Sequence, residues 1–234
     1  VDKNIIFTLV NAEQNKELLE NVPHRKFEDL AIIYRWNVGV DSNGLYTNIV
    51  TNEFAEKIGK SEEELYELAK ENTNRIFPSE VRNMAEVIGE IIFGEDGEYM
   101  PEDEEFKNMM NETPDEKSMY VITNKARLFG AAAMLYEDNL HDLSQQIDSD
   151  LYILPTSVHE VIAISDKFGD ADELADMVYE VNMEQVSIEE RLSNQVYHYD
   201  KEARTLRLAT DKFDRKISDD IQDKTHQIEE GKAR

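Results

Sequence analysis

The chain has 234 residues, enough for one large domain or two small ones, and with 40% hydrophobic and 32% charged residues it can bury a core. Its 25 Lys and Arg residues against 51 Asp and Glu residues give a formal net charge of -26, which disfavours binding to nucleic-acid phosphates and to anionic membranes. The absence of cysteine excludes disulfides, thiolate catalysis and cysteine-ligated zinc.

The first quarter of the chain predicts strands joined by tight turns. NIIFTLVN (4–11) reads as a strand, and Asn11 with Gln14 begins a helix that stops at Pro23. DSNG (41–44) is a turn signal before the returning strand LYTNIVT. The strand before that turn alternates, and one of its faces carries Leu30, Ile32, Tyr34, Trp36 and Val38.

The middle of the chain predicts helices and then an irregular segment. Ser61 and Glu64 form a capping box at the start of SEEELYELAKENTNR, and Asn72 shares the apolar stripe of this helix. EVRNMAEVIGEII, after Phe77-Pro78-Ser79, reads as a further helix. Residues 94–118 are acidic and aperiodic, which predicts an exposed, mobile loop.

The second half predicts two more hairpins, flanking two helices, DNLHDLSQQI and DADELADMVYEVN, and a strand pair. MYVITN (119–124) and RLFGAAAMLY (127–136) read as a hairpin, although the small residues of FGAAAM would also let a helix pack closely on a sheet. LYIL and VHEVIAI read as strands on either side of Pro155, and NQVYHYD with TLRLA reads as the last hairpin. The helix DADELADMVYEVN places Leu174, Met177, Val178 and Val181 on one face.

These elements predict an α+β fold, with an antiparallel or mixed sheet built from hairpins and helices packed mainly on one side. We expect a single domain over residues 1–209 and a charged helical tail over 210–234, with a thin apolar stripe. No apolar run is long enough for a membrane helix and no signal peptide is visible, so we expect a cytoplasmic protein that binds no membrane.

Several segments together resemble a known bacterial family. They are ELLENVPHRKFEDLAIIY, VTNEF, SEEELYELAKENTNRIFP, MYVITN, GAAAMLY, SDLYILPTSVHEVI and MVYEVNMEQVSIEERLSNQVYHYD. In this order they resemble the family of unknown function numbered 5688, common in anaerobic gut bacteria, over about residues 4–208. The resemblance implies no activity, cofactor or catalytic residue. It implies a further N-terminal segment, so we expect a chain that begins within a longer protein, and it leaves the tail outside the pattern. Where the family more often has Pro-Ser-Ser, this chain has Pro155-Thr156-Ser157.

Ser157, His159 and Glu160 supply the residue types of a nucleophile, a base and an orienting acid. An extended strand would place His159 and Glu160 on opposite faces, and no nucleophile-elbow motif is present, so the spacing argues against catalysis. It favours a polar cluster in which one of the two is buried and paired. The candidate members of this cluster are His24, Arg25, Arg35, Asn72, Arg75 and Thr156, and Arg127 is a further candidate counter-charge for Glu160.

The sequence predicts no cofactor and no metal site. The five histidines lack the spacing of known zinc motifs, the acidic loop does not follow the calcium-loop pattern, and no glycine-rich phosphate loop is present. The histidines are His24, His141, His159, His198 and His226.

The function that this composition favours is a non-enzymatic interaction or regulatory module, whose acidic surface would meet a basic protein partner rather than nucleic acid. Two alternatives stay open. One is a hydrolase or small-molecule-binding domain centred on Ser157, His159 and Glu160 with Arg25. The other is an acidic mimic of nucleic acid, which needs carboxylates spaced like phosphates.

Overall fold

The computed structural model describes residues 1–41, 44–93 and 117–211. The acidic loop predicted at 94–118 therefore lies outside the described residues except for its last two positions. The predicted helical tail lies outside them from residue 212 onward. Within the described ranges, no helix has the length and apolar composition that crossing a membrane requires.

The first sheet has four antiparallel strands arranged around one long strand. They are β1 (Ile5–Asn11), β2 (His24–Phe27), β3 (Leu30–Asp41) and β4 (Gly44–Ile49). β3 pairs with β1 along one edge, while β2 and β4 follow each other along its opposite edge. The predicted strands of this region are therefore confirmed.

The apolar alternation predicted along β3 holds for most of the strand. Leu30, Ile32 and Tyr34 all belong to the main hydrophobic core, as the period of two requires. The alternation fails at Val38, which is 55% exposed. The reason is a shift of register between Asn37 and Gly39, where one residue of β3 has no partner on β4 and the strand changes face.

The described helices lie between the strands. They are α1 (Lys16–Glu20), α2 (Asn52–Lys57), α3 (Glu62–Ile76), α4 (Met84–Phe93), α5 (Asn139–Gln146) and α6 (Ala171–Gln185). α3 begins at the predicted capping box, in which the Glu64 N–H donates to Ser61 Oγ at 3.2 Å and the Ser61 N–H donates to the Glu64 carboxylate at 2.9 Å. Its apolar face, with Leu65 and Ala69 fully buried, joins β1 in the core.

The second sheet has six antiparallel strands in the order β10-β9-β7-β8-β6-β5. They are β5 (Ser79–Asn83), β6 (Met119–Asn124), β7 (Leu151–Leu154), β8 (Val161–Ser165), β9 (Tyr197–Asp200) and β10 (Thr205–Leu208). The hairpin of β9 and β10 is the last hairpin that the sequence predicts. An α+β fold with antiparallel sheets is confirmed, with two sheets rather than one.

Two predicted elements of this sheet are wrong. The start of the predicted helix EVRNMAEVIGEII is strand β5, because residues 79–83 pair with β6 and this pairing overrides the local helical pattern. The predicted strand 127–136 contains a 3-10 helix, Gly130–Leu135. Arg127 and Phe129, with φ of 54° and 53°, break the extended conformation there.

This 3-10 helix packs closely on the second sheet, as its small residues suggested. A Cβ added to Gly130 would lie 2.0 Å from Thr123 Oγ1 and 2.5 Å from the His159 carbonyl oxygen, so only glycine fits. Ala131, Ala132 and Ala133 follow it and are buried. Their small side chains let the helix backbone approach the strands.

Both faces of the second sheet are covered. One face, with Leu151, Ile153, Val161 and Tyr197, shares the main hydrophobic core with the first sheet, α3 and the 3-10 helix. The alternate residues, including Leu154 and Ile164, form a smaller core beneath α6. Successive side chains of a strand point to opposite faces of the sheet, so each strand contributes to two separate cores.

α6 uses a narrower apolar face than its sequence predicts. Leu174 and Val178 are buried in the smaller core, whereas Met177 and Val181 are 46% and 44% exposed. Asn182 takes the next buried position and donates hydrogen bonds to the Ser193 carbonyl oxygen and to Asn194 Oδ1. The helix is therefore held by a polar contact where the sequence suggests an apolar one.

Candidate functional site

The candidate site begins at the tight turn between β2 and β3. Phe27 pairs with Leu30, so Glu28 and Asp29 alone make the turn, and Glu28 adopts a positive φ of 53°. The Asp29 carbonyl oxygen accepts a hydrogen bond from the Ala12 N–H at 3.0 Å, which fastens the turn to the end of β1. This turn presents the Asp29 carboxylate to the second sheet.

Two hydroxyl groups hold the Asp29 carboxylate, one from Tyr197 in β9 and one from Ser193 in the segment before β9. The Tyr197 hydroxyl donates to Oδ1, and the Ser193 hydroxyl donates to Oδ2 at 2.5 Å. Ser193 Oγ also accepts the Gln195 N–H at 2.9 Å, so its orientation is fixed. Each carboxylate oxygen thus has its own donor, and the contact joins the two sheets.

The Asp29 carboxyl group has a perturbed acidity. Burial raises its pKa above the ordinary value, the hydrogen bonds from Ser193 and Tyr197 oppose this rise, and the negative charge of Asp211 adds to it. Burial and the neighbouring Asp29 charge likewise raise the pKa of Tyr197 well above its usual range. A carboxyl group with a raised pKa in a cleft is a candidate for ligand recognition or proton transfer.

A cleft of about 270 Å³ opens beside this carboxylate. It is lined by Asn11, Ala12, Glu13, Lys26, Glu28, Asp29, Asn194, Gln195, Leu208 and Asp211. Four of these residues are acidic and one is basic, so the cleft favours cations over anions. Side-chain amides lie beside the charges, and Leu208 adds apolar surface.

Of Asp29, Ser193 and Tyr197, only Asp29 can touch a ligand in the cleft. Ser193 and Tyr197 are fully buried and do not line the cleft, whereas Asp29 does. Neither hydroxyl can therefore attack a bound molecule, and both serve to position the carboxylate. The chemistry open to the site is binding of a cation or hydrogen-bond donor, or proton exchange with it, through Asp29.

The structure places Ser157, His159 and Glu160 in a loop. β8 begins only at Val161, so the predicted strand VHEVIAI is wrong over its first three residues. The Ser157 hydroxyl accepts the His159 backbone N–H at 3.0 Å, a turn that keeps these residues out of the ladder. The sequence predicts that one of His159 and Glu160 is buried; in the structure Glu160 is exposed and His159 is half-buried.

The His159 ring is engaged at both nitrogens. Nδ1 accepts the Phe129 N–H at 3.1 Å, which leaves the proton of a neutral ring on Nε2, and Nε2 lies 3.4 Å from Glu190 Oε1. In the described part of the chain, no hydrogen bond joins Ser157 Oγ to this ring. The three residues therefore lack the nucleophile–base contact that a hydrolase requires.

Arg25 forms the strongest charged contact of the predicted polar cluster. Its Nε and Nη2 donate to the two oxygens of Glu62 at 3.1 and 3.0 Å, and its guanidinium lies 3.8 Å from the ring centroid of Tyr66. The hydrogen bond with Glu62 raises the pKa of Arg25. Burial opposes ionisation of Glu62, but the hydrogen bonds from Arg25 and Tyr34 outweigh it and lower the pKa of Glu62.

Of the other predicted members of the cluster, only Asn72 and Arg75 contact each other in the described part of the chain. Asn72 donates to the carbonyl oxygens of Asp2 and Ile5, and Arg75 donates to Asn72 Oδ1 at 2.9 Å, so both fix the start of the chain to α3. His24 is exposed, with Nδ1 2.9 Å from the carbonyl oxygen of Val22. Thr156 accepts the Leu192 N–H through its backbone oxygen.

Arg35 is held by neutral partners. Its guanidinium donates to Thr8 Oγ1 and Thr47 Oγ1, both at 3.2 Å, and lies 4.5 Å from the ring centroid of Phe129. Burial lowers the pKa of Arg35. The predicted residues are thus distributed over several places, and the structure does not bring them to one site.

Sequence reasoning missed Asp29, Ser193 and Tyr197. The sequence signal was small: a two-residue acidic turn between apolar segments, and a tyrosine on the apolar face of a strand. Among the described residues, one group of three side chains could hold a metal ion, namely Asp150, Asp166 and His198. It lies on the opposite face of the second sheet from Tyr197.

Comparison with known proteins identifies a family but no activity. No curated protein and no solved structure matches the chain. The model of one family, described as a family of unknown function (DUF5688), matches residues 1–201 and confirms the resemblance drawn from the sequence motifs. The chain belongs to this family of unknown function.

Proposed function

We propose that this protein is a small-molecule-binding domain whose ligand is a compact polar cation, held at Asp29 in the cleft between the β2–β3 turn, the end of β10 and the segment just before β9. The observation that carries the proposal is the position of the Asp29 carboxylate. It lines the cleft, is fixed by two buried hydroxyl groups, and has a raised pKa. A cleft with convergent polar groups and one perturbed carboxyl is the usual form of a ligand site.

The dimensions and charge of the cleft narrow the ligand class. Ligand pockets usually measure about 300–1,000 Å³, so a volume of about 270 Å³ admits a molecule of small-metabolite size. The acidic lining disfavours carboxylates and phosphates. An amine or guanidine would pair with Asp29, beside the side-chain amides of Asn11 and Gln195 that also line the cleft.

The test is a titration with probes of matched size and different charge. Methylguanidine, ethanolamine and 1,4-diaminobutane serve as cations, and acetate and propanol serve as the anionic and neutral controls. Amide chemical shifts of isotope-labelled protein should change saturably around Asn194 and Gln195 with at least one cation, and not with acetate or propanol. The measurement is made at about 0.15 M salt, where the Debye length is about 8 Å and diffuse attraction to the acidic surface is weak.

Asp29→Asn is the decisive variant, and Glu67→Gln is its matched control. Both remove one negative charge, but Glu67 is exposed on α3, away from the cleft. We expect Asp29→Asn to weaken binding at least tenfold and Glu67→Gln to leave it unchanged. Equal affinities of the wild type and Asp29→Asn would contradict the proposal.

The interaction module is the second candidate function, and the outer face of α6 favours it. Met177 and Val181 are exposed one helical turn apart, and Asp176 and Glu180 precede them. An apolar pair flanked by acids fits a basic amphipathic peptide. The double substitution Met177→Ser with Val181→Ser should weaken the binding of such peptides, measured by fluorescence polarisation, at least tenfold. Val38→Ser, at another exposed valine, should not.

A further inference from the structure

Three side chains from neighbouring strands converge on the face of the second sheet that α6 covers. Asp150 precedes β7, Asp166 follows β8, and His198 lies in β9. β7 is the central strand of the three, and it pairs Leu151 with Ser165 on one side and Tyr152 with His198 on the other. The strand period then places all three ligating side chains on one face.

The potential ligand atoms are close to the spacing that a metal ion requires. His198 Nε2 lies 3.1 Å from Asp166 Oδ2 and 3.7 Å from Asp150 Oδ2, and the three ligand atoms all lie within 4.8 Å of one another. Bonds of about 2.1 Å to a metal would place neighbouring ligand atoms about 3.0–3.4 Å apart. Small rotations of the two half-buried carboxylates would close the remaining gap.

Groups outside the cluster hold these side chains in place. The Lys201 N–H donates to Asp150 Oδ1 at 3.0 Å, which leaves Oδ2 directed toward His198. The Ser149 hydroxyl lies 3.4 Å from Asp166 Oδ1, on the oxygen that does not face the imidazole. The edge-on contact of the Tyr152 ring with the His198 ring, at 5.5 Å between centroids, limits rotation of the imidazole. Anchored ligands of this kind are typical of metal sites.

We propose that Asp150, Asp166 and His198 form a binding site for one divalent first-row transition-metal ion, such as Zn²⁺ or Mn²⁺. An imidazole with two carboxylates suits these ions better than Ca²⁺ or Mg²⁺, which take oxygen ligands. The ion replaces the hydrogen atom that His198 Nε2 donates to Asp166. Three protein ligands leave coordination positions for water. Histidine spacing along the sequence gives no sign of this site, because Asp166 lies 16 residues after Asp150 and His198 lies 32 residues after Asp166.

The site is independent of the Asp29 cleft. Tyr197 and His198 are adjacent in β9 and point to opposite faces of the second sheet, the first toward Asp29 and the second toward Asp166. The proposal of a metal site and the proposed cation-binding function can therefore be tested independently, and either one can fail without the other. Asp29→Asn should leave the affinity for metal unchanged.

Calorimetric titration of the metal-free protein with ZnCl₂ and MnCl₂ at about 0.15 M salt tests the proposal. We expect one saturable site per chain for at least one of the two ions. Affinity should fall at least tenfold in His198→Ala and in Asp166→Asn. His24→Ala removes an exposed histidine elsewhere and should bind as the wild type does. A calorimetric isotherm that fits only weak binding at several sites would overturn the proposal. So would an affinity for metal that is unchanged in His198→Ala.

A second measurement on the wild type avoids dependence on the folding of the variants. Nitrogen-15 spectra of the histidine side chains should show a change at His198 on addition of one equivalent of Zn²⁺, and no comparable change at His24. If another histidine responds while His198 does not, the assigned site is wrong.

Discussion

Tyr197→Phe tests the contact that joins the two sheets. The substitution keeps the ring, which packs at 6.2 Å from the Phe27 ring, and removes only the hydroxyl that donates to Asp29. Tyr197 is fully buried, so water cannot replace the lost donor. A hydrogen bond to a charged acceptor contributes about 1.5–3 kcal/mol, and we expect the free energy of unfolding to fall by that amount.

The assay is urea unfolding followed through the fluorescence of Trp36, the single tryptophan of the chain. At about 2–4 °C per kcal/mol for a domain of this size, the loss corresponds to a decrease in Tm of about 3–12 °C. Tyr199→Phe is the matched control, because Tyr199 is buried on the same face of β9 and its hydroxyl makes no hydrogen bond within the described ranges. It should cost less than about 0.5 kcal/mol.

A double-mutant cycle of Tyr197→Phe with Asp29→Asn assigns the loss to this pair. The coupling free energy should be at least about 1 kcal/mol, since residues in one hydrogen-bond network are not additive. Additive effects, or a loss in Tyr197→Phe no larger than in Tyr199→Phe, would refute the reasoning that the buried hydroxyl holds the carboxylate.

Three further predictions concern pH, packing and a helix cap. The folded state raises the pKa of Asp29 above its ordinary value of 3.8, so this group stabilises the fold fully below that pH and less as pH rises through the folded pKa. Unfolding free energies measured for wild type and Asp29→Asn across pH should therefore show a wild-type advantage that declines with rising pH, and an advantage that grows would contradict this. Gly130→Ala forces a Cβ into Thr123 and should lower the free energy of unfolding by about 3 kcal/mol or more, whereas Gly169→Ala, with open space around its Cα, should have little effect in the same urea assay. Ser61→Ala removes the acceptor of the Glu64 N–H and should cost about 1 kcal/mol, and an unchanged urea midpoint would show that the cap contributes nothing.

Much of the fold follows from local sequence patterns. The alternation from Leu30 to Tyr34 gives the core face of β3, the Ser61 capping box gives the start of α3, and the closing hairpin gives β9 and β10. The failures occur where long-range pairing decides. β5 is a strand because β6 pairs with it, and Gly130 begins a 3-10 helix because it lies against Thr123.

The candidate sites were beyond prediction for the same physical reason. Asp29 takes its partners from residues 164 and 168 positions further along the chain, and no spacing rule reaches that far. The stretch around His159 suggested a hydrolase or binding site because it combines a serine, a histidine and a glutamate within four residues. Its groups are satisfied by a turn within the stretch and by the Phe129 backbone, 30 residues earlier in the chain.

The measurement that tests the account most directly is the chemical-shift titration of wild type and Asp29→Asn with methylguanidine, ethanolamine and 1,4-diaminobutane. We expect saturable shifts centred on Asn194 and Gln195 in the wild type with at least one of these cations, and their loss in Asp29→Asn. The absence of saturable shifts with all three cations, or equal shifts in both proteins, would contradict the proposal that the Asp29 carboxylate binds a cation in this cleft.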